Sequence, residues 1–239
     1  MKVVNLKSDK KTARITKLKN VNTVGLIRKF IYNYQNKFII KCFRKTNEFY
    51  VVIEIIDLNK GLKMLIGLIS DTHIPDRGKQ IPSKVFDAFS NVDLILHAGD
   101  LTSLSVISEL EKIAPVMAIQ GNMDRLNCID LPKAKVIEAE GLKIGIVHGE
   151  VYPRGDSQQL FYLAQEIGVD ILVSGHSHQP KIEKKENVLL INPGSPIVPR
   201  LADRTVMILE INNKEVDVEI VKVGAPVCSA LDFDQYKRD

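Results

Sequence analysis

From residue 65 onward, apolar runs of strand length alternate with segments of helical spacing, and most runs stop at a Gly, Asp, Asn or His cluster. Residues 65–69 read as a strand running into Ser70-Asp71-Thr72-His73. Pro82-Ser83 opens a short helix towards Ser90, and 92–96 is a buried strand ending at His97-Ala98-Gly99-Asp100. Thr102 then caps a helix to about Lys112, with Leu104, Ile107, Leu110 and Ile113 at helical spacing. A third strand, 116–119, ends at Gly121-Asn122.

The second half shifts towards hairpins. Residues 135–139, the turn Glu140-Gly141 and 142–147 read as strand, turn, strand. Asp156 or Ser157 begins a helix to about Ile167, and 171–173 is a strand leading into Gly175-His176-Ser177-His178. Residues 188–191 precede Asn192-Pro193-Gly194-Ser195, and 205–211, Asn212-Asn213 and 215–223 form a last hairpin. Residues 224–239 have no period and read as a loose tail. Early βαβ units followed by antiparallel hairpins predict an α/β fold of two stacked sheets flanked by helices. Before residue 64, 37–43 and 49–56 suit a hairpin, whereas 1–30 show no usable period.

Composition divides the chain at the same place. Of 239 residues, the first 64 carry a net charge of +11 and half of the aromatics, and the rest carry −7. Residues 1–63 are therefore either a genuine basic extension or an over-extended start ahead of an initiator at Met64. Such an extension would be the place for any nucleic-acid partner, with a solvated tail or a segment docked on the acidic body as the other readings. No apolar run approaches the ~18 residues of a membrane span, and the basic N-terminus lacks a signal-like apolar core. Cys42, Cys128 and Cys228 are odd in number and form no CxxC pair, which fits a reducing cytoplasm and argues against a thiolate zinc site.

The five histidines all fall close to strand ends. Four lie in polar clusters: Asp71-x-His73, His148-Gly149 and Gly175-His176-x-His178, with Gly99-Asp100 and Gly121-Asn122 ending strands in the same way. In an α/β sheet the carboxyl ends of neighbouring strands converge on one crevice, so these side chains can meet. Imidazole and carboxylate without thiolate suit Mn, Fe, Ni, Co or Zn. Seven such groups exceed what one catalytic ion needs, but suit two ions sharing a carboxylate. Glycines at 99, 121, 149 and 175 leave room where backbone crowds the ions.

Those motifs, in that order, resemble the calcineurin-like metallophosphoesterase superfamily. Asn192-Pro193-Gly194-Ser195 is similar to its small single-domain phosphodiesterase branch, which also contains the retromer's non-catalytic subunit. The resemblance covers about 64–223 and implies a four-layer αββα sandwich of two mixed sheets. By motif, it implies Asp71, His73 and His178 on a first divalent ion and Asn122, His148 and His176 on a second, with Asp100 bridging. The ions would be Mn2+ or Ni2+, with Fe, Co or Zn as further options. Asp100, Asn122 and His148 would carry catalysis, in which hydroxide held by the metal pair attacks a phosphodiester and phosphomonoesters are weak substrates. The alternative is a non-catalytic metal-binding interaction scaffold.

Many members of the superfamily have a histidine after the metal-binding asparagine. Here Met123 stands in that position, followed by Asp124, so the leaving group loses its implied proton donor. The −7 balance of the body favours small phosphodiesters over long nucleic acid. His97 reads as a buried histidine supporting the site. Asp124 reads as a water-orienting group, a solvated loop carboxylate or a turn cap. Residues 192–195 read as a tight turn closing the site, with direct substrate contact as the other reading, and Arg200 as an ordinary surface arginine, with a phosphate contact as the other reading.

Overall fold

The computed structural model describes residues 3–8, 11–18, 38–45, 48–55 and 63–226. The chain divides into two units, Met1–Leu62 and Lys63–Asp239. In the first, β1 (Val3–Ser8), β2 (Lys11–Leu18), β3 (Phe38–Lys45) and β4 (Glu48–Ile55) form an antiparallel sheet of order β1-β2-β4-β3. The hairpin read at 37–43 and 49–56 is β3–β4. Two further strands stand where residues 1–30 show no period. In β2, Ala13 and Ile15 share a parity with Lys11 and Lys17, so neither parity reads as apolar.

The second unit holds two five-stranded sheets. The first contains β5 (Met64–Ile69), β6 (Leu94–His97), β7 (Val116–Ala118), β13 (Arg204–Asn212) and β14 (Glu215–Gly224), in the order β14-β13-β5-β6-β7. Its β5-β6-β7 half is parallel, and β13 joins β5 antiparallel. The second contains β8 (Ala134–Ala139), β9 (Leu142–Val147), β10 (Ile171–Val173), β11 (Pro180–Lys185) and β12 (Val188–Pro193), in the order β11-β12-β10-β9-β8. There β9-β10-β12 are parallel, with an antiparallel strand at each edge.

Period-two alternation explains why the sheets stack. Ile66 and Leu68 of β5, Leu94 and Leu96 of β6, and Met207, Leu209 and Ile211 of β13 pack with Ile144 and Ile146 of β9, Ile171 and Val173 of β10, and Ile191 of β12. The opposite parity of the first sheet, with Ile69, Ile95, Val116 and Val206, packs under Val85 of α1 (Ser83–Ala88), Phe89 just after it, and Val106 and Leu110 of α2 (Ser105–Leu110). On the second sheet, Val147, Leu172 and Leu190 pack under Leu160, Phe161 and Ala164 of α4 (Ser157–Ile167). Helix, sheet, sheet and helix thus form four layers, and burying both faces of the parallel strands requires both helix layers. α4 starts at Asp156, whose carboxylate accepts the Gln159 N–H at 2.8 Å, and stops at the left-handed Gly168.

Three local readings change. The helix read from Thr102 is the shorter α2, beginning at Ser105. Thr102 is left-handed (φ 67°) and donates its hydroxyl to the Ile74 carbonyl at 2.9 Å, because residues 99–102 pair with the 71–74 loop. β11 is a strand that the sequence pattern does not predict: none of its residues is buried, and Pro180 and three lysines suit a sheet edge. A five-residue helix, α3 (Asn122–Leu126), starts at the candidate ligand Asn122 itself and is too short to show a period. β14 ends at Gly224, and residues 227–239 of the tail lie outside the described residues. Among the described residues no helix is long and apolar enough to cross a membrane.

Candidate metal centre

β5, β6, β7, β9 and β10 all deliver their carboxyl ends to one rim, and the loops that follow are tied there by backbone bonds. The Asp71, His73 and Ile74 amides donate to the carbonyls of Gly99, Asp100 and Leu101, each at 3.0 Å. The Gly175 amide donates to the His148 carbonyl, also at 3.0 Å. Three loops then repeat one backbone motif. Asp71 and His73, Asp100 and Thr102, and His176 and His178 are all left-handed, with φ between 46° and 67°. L-residues avoid this region, so the fold holds strain at the residues that carry the polar chemistry. Close approach accompanies it. A Cβ on Gly175 would lie 2.8 Å from Asp71 Oδ2, and one on Gly121 would collide with the Asp100 carboxylate.

All seven sequence-predicted side chains meet at this rim. His178 Nε2 lies 3.3 Å from Asp71 Oδ1 and 3.3 Å from His73 Nε2. Asp100 Oδ2 lies between two groups, 3.6 Å from His73 Nε2 and 3.3 Å from His148 Nε2. Asn122 Oδ1 is 3.1 Å from His148 Nε2 and 3.1 Å from His176 Nδ1. Ligand atoms of Asp71, His73 and His178 lie within 4.8 Å of one another, as do those of Asp71, Asp100 and His148.

The outer atoms of His178, His148, Asp100 and Asp71 are already engaged, whereas His73 Nδ1 is buried without a partner. His178 Nδ1 donates to the Val198 carbonyl at 2.6 Å and His148 Nδ1 donates to the Ala98 carbonyl at 2.8 Å. Each bond fixes the tautomer and turns Nε2 inward. Asp100 Oδ1 accepts the Met123 amide at 2.8 Å, which leaves Oδ2 for the interior. Asp71 accepts the Ser70 hydroxyl at 2.7 Å and the His176 amide at 3.0 Å.

Burial sets the protonation. It pulls His73 and His178 down to about 4, outweighing the Asp100 charge at His73 and the Val198 carbonyl at His178, so both rings are neutral near pH 7. His178 Nε2 is then a lone pair facing a carboxylate oxygen at 3.3 Å, an arrangement that asks for a cation. At His148 and Asp100, burial opposes charge, but the contact between them wins. The hydrogen bond to Asp100 and the Asp71 and Asp100 charges lift His148 to about 9, and the His148 contact and the Met123 amide bring Asp100 to about 2. Burial pushes Asp71 up to about 7. The donors present therefore fit divalent metal: inward nitrogen and oxygen lone pairs, and a proton on His148 where a cation would stand.

A family model for the calcineurin-like phosphoesterase superfamily domain matches residues 64–214. The chain belongs to this superfamily. A probable metallophosphoesterase of Methanothermobacter thermautotrophicus is 58% identical over 170 residues, covering 71% of this chain and 99% of that protein. A conserved Streptococcus pneumoniae protein described as a predicted phosphoesterase is 27% identical, with a TM-score of 0.57 over 70% of this chain and 94% of that one. Vps29 of Entamoeba histolytica, solved with zinc, is 26% identical, with a TM-score of 0.52 over 67% of this chain and all (100%) of that one.

Within this phosphoesterase rim, the supporting residues resolve as follows. His97 is fully buried with Nε2 3.1 Å from the Thr72 hydroxyl, and burial holds it near 3, so it supports the Asp71–His73 loop as a neutral ring. Asn192 donates to the Gly175 carbonyl and Ser195 to the Asp71 carbonyl, at 2.6 and 2.8 Å, so residues 192–195 brace two of the loops from beneath. Of its three readings, Asp124 is the turn cap. It is neither solvated nor aimed at substrate: it is fully buried and accepts the amides of Asp100, Thr102 and Gly121 at 2.8, 2.8 and 2.9 Å. Its spacing of three from Gly121 was the available signal, that of a cap at a helix start.

Two outcomes follow. Asp124→Asn turns an amide NH2 towards backbone N–H groups and should cost about 1–3 kcal/mol in urea unfolding. It should also weaken metal binding about 10–100-fold without removing a ligand; unchanged affinity would refute the positioning role. Metal must displace the His148 proton and any proton on Asp71, so calorimetry in two buffers should show release of about one to two protons near pH 7. Affinity should tighten as pH rises from 6 towards 9, since the raised pKa values lie in that window. A flat profile would exclude this protonation scheme.

Proposed function

We propose that the protein is a metal-dependent phosphodiesterase that hydrolyses small phosphodiesters, with weak activity on phosphomonoesters. The observation that carries this reading is the convergence of seven buried or half-buried donors at one rim, with the neutral His178 and His73 rings facing carboxylate oxygens. Asp71, His73 and His178 would hold one ion and Asn122, His148 and His176 the other, with Asp100 Oδ2 serving both. Mn2+ or Ni2+ is the proposed pair, and Fe, Co or Zn suit the same donors; the Entamoeba Vps29 chain was solved with zinc. Divalent ions bound there supply Lewis-acid polarisation of a phosphoryl oxygen and acidify water to near pH 7.

The chain's own residues do the rest. The Val198 and Ala98 carbonyls keep His178 and His148 in the tautomer that presents Nε2. The Met123 amide keeps one Asp100 oxygen out of the site and so orients the other. The Met123 side chain has no proton to give, so the leaving group departs unaided by this position. That favours esters of acidic alcohols and phenols.

Hydrolysis of bis(p-nitrophenyl) phosphate with added Mn2+ or Ni2+ tests the reading. Activity should vanish with EDTA and fall about 10³-fold or more in Asp100→Asn and His148→Ala, the scale of several kcal/mol of lost charge stabilisation. Metal uptake without turnover under any of these ions would instead favour a non-catalytic metal-binding scaffold. Restoring a histidine probes the leaving group. Met123→His should raise turnover of alkyl relative to aryl diesters, within the ~10²–10⁴-fold range of general acid catalysis. An unchanged ratio would show that Met123 is not what limits poor leaving groups.

A further inference from the structure

Three arginines border the candidate centre on three separate loops. Arg77 follows the first loop, and its amide donates to the His73 carbonyl at 2.8 Å. Arg200 follows the 192–195 turn, and its amide donates to the His178 carbonyl at 3.3 Å. Arg154 precedes Gly155, whose backbone lies against the His176–His178 loop: a Cβ there would be 3.2 Å from Ser177 Cβ. All three side chains are exposed. The guanidiniums also sense one another: after burial, Arg154 and Arg77 are the main influences lowering the Arg200 pKa, and Asp71 opposes them.

What sets these residues apart is the absence of a direct ion-pair partner among the described residues. Among the described residues, none of the three forms an ion pair or a side-chain hydrogen bond, whereas Arg125 beside them is paired with Glu150 at 3.1 Å. The nearby Asp76 carboxylate accepts from Asn127 at 3.3 Å. Residues 65–239 carry a net −7, so an uncompensated positive cluster at this rim runs against the balance of the body. Mutual repulsion makes it unfavourable until an anion arrives. Guanidinium forks match phosphate oxygens geometrically and stay charged at any working pH.

We propose that Arg77, Arg154 and Arg200 bind a second phosphate of the substrate, beside the ester that is cut. The preferred substrate class is then a small phosphodiester bearing an additional phosphate, such as a nucleotide phosphorylated at both ends. This rests on the phosphodiesterase reading and narrows it. One anionic group is engaged at the candidate centre, and the other is engaged by the arginines and contributes mainly to binding.

A matched pair of esters tests it in the full-length protein with Mn2+: thymidine 5′-(p-nitrophenyl phosphate) with and without a 3′-phosphate. The phosphorylated ester should be preferred about tenfold or more in kcat/KM, chiefly through KM. Arg77→Gln, Arg154→Gln and Arg200→Gln should each cut that preference ~3–10-fold, as expected for partly exposed charged hydrogen bonds, and Arg→Lys should restore part of it. Calorimetry with thymidine 3′,5′-bisphosphate against thymidine 5′-monophosphate gives a readout that needs no turnover. Hydrolysis of both esters at equal kcat/KM, or a preference that survives all three substitutions, overturns the arginine proposal and leaves the phosphodiesterase reading standing. Tighter bisphosphate binding that the glutamine variants lose, without hydrolysis of either ester, upholds the arginine site and overturns the phosphodiesterase reading.

Discussion

His178 Nε2 and Asp71 Oδ1 face each other at 3.3 Å in a buried rim; the imidazole is neutral and burial raises the Asp71 carboxyl to about 7, so the pair holds at most one proton and loses it as pH rises past neutral. Two acceptors held that close repel unless something electropositive stands between or beside them. The same tension recurs at His148 and Asp100, where a proton relieves it by sitting on the imidazole. A protein that places such groups together must spend structure on holding them. Here that structure is visible as the Val198 and Ala98 carbonyls, the Met123 amide and the Asp124 carboxylate, each fixing an outer atom so that an inner lone pair stays aimed.

The fold answers the same constraint at the backbone level. Parallel strands end together, but extended chain sends successive side chains to opposite faces. The left-handed residues at Asp71 and His73, at Asp100 and Thr102, and at His176 and His178 break that alternation just past the strand ends. Cross-loop bonds from residues 71–74 to 99–101 continue the sheet's pairing through these irregular turns. Strain at the rim is tolerable because both sheets are anchored by the buried layer between them, from Ile66 and Leu68 to Ile144 and Ile171. The rigid interior and the strained edge therefore belong together.

Much of this was legible in the chain because it rests on local pattern. Strand-length apolar runs stopping at Asp71, Asp100, Asn122, His148 and His176 carry their period and their terminators in sequence, so both sheets and the convergence of the seven donors could be read. Tertiary pairing was not legible. Thr102 looks like a helix cap by type, yet the 99–102 segment is claimed by the neighbouring loop and α2 starts three residues later. β11 hides because none of its residues is buried, so neither face calls for apolar side chains. Asp124 looks like any loop carboxylate until three amides from two different segments are seen to converge on it.

The donors at the rim and the arginines above it answer different questions. Side chains that hold metal are set by the chemistry of phosphate esters in general, and they tell little about which ester is used. Discrimination must come from groups that touch the parts of a substrate not being broken, since binding energy from remote groups is what separates one ester from another. Arg77, Arg154 and Arg200 lie on the loops adjoining His73, His178 and Ser177, and none of the three has an ion-pair partner among the described residues. Cations kept unpaired in an acidic body are costly without a ligand and useful with one. On that argument, selectivity follows the charge of the substrate's distal end more than the identity of its base or sugar.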